Sequence, residues 1–100
     1  MAYKLLLKPI VFFDVEEAFN YYNEKSAGLG SRFYKQFLSS LNDIHNHPLS
    51  YLTVKDPVRR CKVKMFPYII FYVISDHEIF IIGLSHFKRG NAFLKKRLSV

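Results

Sequence analysis

The sequence predicts one α+β domain spanning residues 1–100, with the order strand, helix, helix, then three strands. An antiparallel sheet carries a helical hairpin on one face. Three observations predict it. Half of the 100 residues are hydrophobic, enough for one compact core. Apolar residues recur at three- and four-residue spacing through the first half of the chain. In the second half the period falls to two and β-branched and aromatic residues take over.

Each element has its own signal. Tyr3 to Leu7 reads as a short first strand. Pro9 then suits the first turn of a helix, where its missing N–H costs nothing. Phe12, Val15, Phe19 and Tyr22 give that helix one apolar face as far as about Ser26. The glycines of SAGLGS break it, and a second helix follows, either capped by Ser31 or already including Leu29. Phe33, Phe37, Leu41 and Ile44 form the buried stripe of this helix, and Pro48 closes it. Residues 49–56 read as a loop. VRRCKVKM alternates cationic and apolar residues, as a half-buried strand does. YIIFYVIS is apolar nearly throughout, as a central strand is, and EIFIIGLSH is the last long strand. Residues 92–98 suit a short terminal helix.

Charge is unevenly placed. Residues 1–54 hold five Lys/Arg and five Asp/Glu, whereas residues 55–100 hold ten Lys/Arg and three Asp/Glu, so the whole excess of +7 lies in the second half. Such asymmetry suits a polyanionic or acidic partner. No run of eighteen apolar residues occurs, so no membrane span is expected, and the start shows no signal-peptide cleavage site. A single cysteine, Cys61, excludes an internal disulfide and fits a cytoplasmic protein. No phosphate-cradling glycine loop and no Cys-x-x-Cys are present. His45 and His47 are two apart and cannot chelate one metal from a helix, so no cofactor and no metal are expected.

With two-residue hairpin turns the register can be written down. Ser75 then opposes Glu78, Val73 opposes Phe80, Lys64 opposes Ile69 and Lys62 opposes Phe71. One face, with Cys61, Ile70, Tyr72, Ile79 and Ile81, is free of charge and belongs under the helices. The other carries the cationic row Arg60, Lys62 and Lys64 beside an apolar strip of Ile69, Phe71, Val73, Phe80 and Ile82, with Leu84 and His86 following on. An open strip of this kind is expected to meet a partner.

Several pieces of the chain, in order, resemble the RelE/ParE superfamily of bacterial type II toxin–antitoxin toxins, closer to the ParE-like branch. They are Tyr21-Tyr22, Arg32-Phe33, Pro48, Val58 to Arg60, Phe66 to Tyr72, and finally His86, Arg89 and Arg97. The resemblance runs from about Tyr3 to Arg97. It implies a toxin that arrests growth by acting on a replication target such as DNA gyrase or on the ribosome and its mRNA, and that a cognate antitoxin neutralises. The alternative is a non-toxic basic protein- or RNA-binding module that keeps the fold.

Within that frame His86, Arg59 and Arg89 are the candidate catalytic residues. A histidine exchanges a proton near neutral pH, and arginines hold phosphate. Arg60, Lys62, Lys64, Phe71 and Arg97 are the candidate binding residues. RNA cleavage needs both a base and an acid. The chain lacks the C-terminal tyrosine found in many mRNA-cleaving relatives, since its last tyrosine is Tyr72, and the nearest carboxylate in sequence is Asp56. The residues therefore leave open whether the protein is an mRNA endonuclease or acts by binding.

Overall fold

The computed structural model describes residues 2–99. In chain order its elements are β1 (Lys4–Leu7), α1 (Pro9–Lys25), α2 (Leu29–Asn46), β2 (Thr53–Lys55), β3 (Val58–Lys62), β4 (Tyr68–Ser75), β5 (Glu78–His86) and α3 (Gly90–Leu98), with single 3-10 turns at Pro48–Ser50 and Phe87–Arg89. The five strands make one sheet in the order β1-β5-β4-β3-β2. Among the described residues no helix is long and apolar enough to cross a membrane.

The α1–α2 hairpin forms as its periodicity predicts. Val11, Val15 and Ala18 of α1 and Phe33, Phe37, Leu41 and Ile44 of α2 are buried together against Cys61, Ile70, Tyr72, Ile79 and Ile81 of the sheet. Gly28, at φ +84°, makes the sharp turn between the helices, and α2 starts at Leu29, the earlier of the two starts the sequence offers. The carboxamide of Asn23 accepts the Gly30 amide at 2.8 Å and pins the corner. Beneath the hairpin the buried Tyr72 hydroxyl donates to the Pro48 carbonyl at 2.6 Å.

Four expectations are corrected. First, β1 pairs parallel with β5, from Lys4 opposite Glu78 to Leu7 opposite Ile81, so the sheet is mixed rather than wholly antiparallel. Second, residues 53–55, read as loop, form an edge strand on β3. All three are exposed, so no alternation marked them. Third, the β3–β4 connection is longer than two residues. Lys62 therefore faces Ile69 and Arg60 faces Phe71, a shift of two that preserves the faces but lifts Lys64 off the row. Lys64 sits in the turn, with its ammonium 4.0 Å from Asp43 of α2. Fourth, a bulge falls where the register passes from Tyr72 opposite Ile81 to Phe71 opposite Gly83. The extra residue reverses every side chain beyond it. Leu84 joins the hairpin-side core, and His86 lies beside Tyr68 with ring centroids 5.5 Å apart. His86 is therefore not on the face of Arg60 and Lys62.

The second face is also not open. The terminal helix starts two residues earlier than expected, at Gly90, and lies across that face. Its Leu94 is buried with Val58, Ile69, Phe71 and Ile82, and the Phe93 ring stacks on Phe71 at 6.0 Å. Phe71 is only 2% exposed, which corrects its expected place on an accessible strip. A short, cation-rich segment with one buried residue gives little periodic signal, so its covering role was not legible.

Candidate functional site: two grooves at the end of the sheet

Beyond Ile81 the edge of β5 has no strand beside it, because β1 ends at Leu7 and the chain turns into α1. Side chains take over the work of a strand. Arg97 of α3 donates to the Ile82 carbonyl at 3.0 Å, and Asp14 of α1 accepts the Leu84 amide at 3.2 Å. Arg97 and Asp14 also join each other at 2.8 and 3.0 Å. The Arg97 guanidinium lies over the Phe93 ring at 4.5 Å. Arg97, a candidate binding residue from sequence, is thus committed within the fold, and its charge is neutralised there.

The gap between α1 and α3 along this edge is a groove of about 700 Å³. Lys8, Glu17, Tyr68, His86, Arg89 and Lys96 line it, together with the Asp14–Arg97 pair. The His86 Nδ1 atom accepts the Lys88 amide at 3.1 Å, capping the 3-10 turn that follows β5. With Nδ1 engaged as an acceptor, the neutral ring carries its proton on Nε2. Burial raises the Tyr68 phenol above its ordinary value. Nearby Glu17 adds to the rise and Arg89 opposes it, so Tyr68 stays protonated at neutral pH.

A second groove, of about 540 Å³, lies on the other face. Leu52, Pro67, Ile69 and Phe87 form its walls, with Arg60 and Lys62 at its rim. Leu52 is 70% exposed and Phe87 51% exposed, and with Pro67 and Ile69 they line one apolar groove of the kind that marks a partner site. The Lys62 ammonium is tied to the Val63 and Phe66 carbonyls at 3.1 and 3.2 Å, which steadies the β3–β4 turn.

His86 and Arg89, both named from sequence, therefore share the first groove, while Arg60 and Lys62 share the second. Arg59 joins neither. It bonds the Tyr51 carbonyl at 2.6 Å and the Leu49 carbonyl at 3.4 Å, and so anchors the segment before β2. It faces Tyr72 whereas His86 faces Tyr68, which puts Arg59 and His86 roughly 16 Å apart across two strand spacings and four residues. Lys8, Asp14, Glu17 and Lys96 were missed. Asp14 and Glu17 are three apart and share one side of α1, but nothing in that spacing pointed to β5 or α3. Burial raises the Cys61 thiol, which leaves it protonated in the core, and among the described residues no His, Cys, Asp and Glu side chains are grouped as a metal needs.

Residues 7–89 match the family described as the ParE toxin of the type II toxin–antitoxin system, parDE. The chain belongs to this ParE toxin family. It is the toxin component of a type II toxin–antitoxin system. Solved structures share its fold. The chromosomal ParDE system from P. aeruginosa superposes with a TM-score of 0.75 at 11% identity, covering 85% of this chain and 96% of that one. A doubly substituted E. coli RelE toxin in the free state gives 0.67 at 17% identity, over 93% and 92% of the two chains. The archaeal RelE–RelB complex from Pyrococcus horikoshii gives 0.59 at 16% identity, over 89% and 99%. No curated protein sequence matches the chain. The family match stops at Arg89, so α3 of this ParE-family toxin, with Phe93, Leu94 and Arg97, lies beyond it.

Proposed function

We propose that this ParE-family toxin arrests bacterial growth from the cytoplasm by binding a replication target such as DNA gyrase, or the ribosome and its mRNA, and that a cognate antitoxin neutralises it. The observation that carries the reading is the family match over residues 7–89. Binding is favoured over mRNA cleavage because His86, Arg59 and Arg89 do not converge. Arg59 is held by backbone carbonyls on another part of the sheet, and the one free lone pair of a neutral His86 is already taken by the Lys88 amide.

The antitoxin contact is the apolar groove over Ile69. An amphipathic antitoxin segment would place apolar side chains against Leu52 and Phe87 and carboxylates against Arg60 and Lys62. Apolar burial would supply most of the affinity, at roughly 25 cal/mol per Å². The cations would mainly speed association. Induced expression in bacteria, with separate readouts of translation and DNA supercoiling, tests the reading. Growth should stop with one of the two readouts affected, and co-expression of a neighbouring antitoxin gene should restore it. Normal growth at high soluble expression rejects it.

A further inference from the structure

We infer that the groove between α1 and α3 is a phosphate-binding site in which His86 acts as an Nε2–H donor, flanked by Lys8, Arg89 and Lys96. The geometry of the imidazole comes first. Its Nδ1 atom caps the turn at Phe87–Arg89 by accepting the Lys88 amide, so the ring is fixed in place and Nε2 is left to donate. A ring held in this way is suited to holding an oxyanion.

Charge points the same way. The groove is lined by Lys8, Arg89, Lys96 and Arg97 against Asp14 and Glu17, four positive side chains and two negative, for a net of +2 with His86 neutral. Arg97 is spent on Asp14, so the cations free to meet a ligand are Lys8, Arg89 and Lys96. A net of +2 suits one phosphate group. Glu17, on the same wall as Asp14, keeps the potential from favouring a run of them. Lys8 precedes the first turn of α1, and Ile10 of that turn lines the groove, so the positive end of the helix dipole adds to the field. The Tyr68 phenol, which stays protonated, is a further neutral donor on the sheet side.

The site is distinct from the apolar groove and does not depend on the toxin reading, so its test is made on the purified full chain. Inorganic phosphate is titrated while backbone amides and histidine side-chain nitrogens are followed by NMR. His86 should be the Nε2–H tautomer in the free protein. Phosphate should move the resonances of His86, the Lys88 amide and Arg89 in a saturable way and leave those of Arg60 and Lys62 in place. His86→Asn keeps an acceptor for the Lys88 amide but removes the Nε2 donor. It should weaken phosphate about tenfold, as expected for one hydrogen bond to a charged group, and Lys96→Ala should weaken it less.

Two further probes distinguish free phosphate from a nucleic-acid backbone. A short single-stranded oligonucleotide that binds through this groove should show a salt slope of about −0.7, from the one phosphate neutralised there. A slope near zero, with inorganic phosphate still bound, would leave the site as one for small phosphates. An acidic peptide of equal charge should not displace phosphate. The inference is overturned by an Nδ1–H tautomer, by shifts confined to the Arg60–Lys62 face, by His86→Asn binding as wild type does, or by the peptide displacing phosphate. Retained phosphate binding in a chain that fails to arrest growth would overturn the toxin reading and leave this site standing.

Discussion

Arg97 and Asp14, 83 residues apart in sequence, meet across the open edge of β5 in a two-pronged ion pair at 2.8 and 3.0 Å. Their side chains are only 18% and 11% exposed, and each also satisfies a backbone group of β5. Removing one partner strands the other charge near the core. Arg97→Met and Asp14→Asn should each lower stability by about 3 kcal/mol, at the low end for a broken buried pair because the pair is partly wet. The double mutant should fall well short of the sum. Urea unfolding of the four proteins measures this, and strict additivity would show that the pair is not a unit.

Gly83 sits where α3 presses on the bulge. A Cβ there would come within 2.6 Å of the Phe93 ring. Gly83→Ala should cost about 1–3 kcal/mol, the usual penalty for overpacking. It should also loosen α3, read as faster proteolysis after Lys95 and Lys96. Adding Phe93→Leu should recover part of the loss by vacating the space. If the double mutant is no better than Gly83→Ala, backbone strain at the bulge is the cause instead of the ring.

The groove proposed for the antitoxin separates surface from core. Phe71→Asp should unfold the protein, since Phe71 is buried beneath α3. Leu52→Asp and Phe87→Asp should fold normally and weaken antitoxin binding at least about tenfold each, the worth of one buried apolar side chain. Lys62→Ala should cost a few-fold at low salt, and that loss should fade as salt rises. Calorimetric titration at two ionic strengths gives all of these. Wild-type affinity in both aspartate variants would move the antitoxin elsewhere.

Alkaline pH should unfold this protein earlier than its other charges suggest. Burial pushes the phenols of Tyr22, Tyr51 and Tyr72 up to about 12 from an ordinary 10.0. Between those values the folded state binds more protons than the unfolded chain. Stability is therefore fully present below pH 10 and is lost as pH rises through 12. Tyrosinate absorbance followed alongside circular dichroism should show these three ionising only as structure melts. Tyr72→Phe should flatten the pH dependence by one proton while losing the bond to the Pro48 carbonyl.

The sequence made legible what repeats locally. The α1–α2 hairpin followed from the spacing of Phe33, Phe37, Leu41 and Ile44, and the cores of β3, β4 and β5 followed from alternation and β-branching. The rest was set by contacts between distant segments. Nothing in Lys4 to Leu7 encodes a parallel partner more than seventy residues away. The bulge at Ile82–Gly83 leaves no local mark, yet it moved His86 to the opposite face from the one read. The weakly patterned residues 90–98 hid the lid over Phe71. His86 and Arg89 line one groove because both lie at the end of β5. Asp14, Glu17 and Lys8 joined them only through the turn of the chain at Pro9.

The parallel pairing of β1 with β5 also bears on when the toxin comes into being during its own synthesis. The first strand made has no hydrogen-bonding neighbour until residues 77–81 have been added, and Asp14 has none of its partners until Leu84 and then Arg97 follow. A nascent chain still inside the ribosome tunnel at β5 therefore holds a helical hairpin and an incomplete sheet, with neither groove formed. Closure across so long a sequence separation is slow compared with helix formation. Both grooves thus take shape late, the apolar one only once Phe87 has followed and the α1–α3 one only once α3 has folded back over β5.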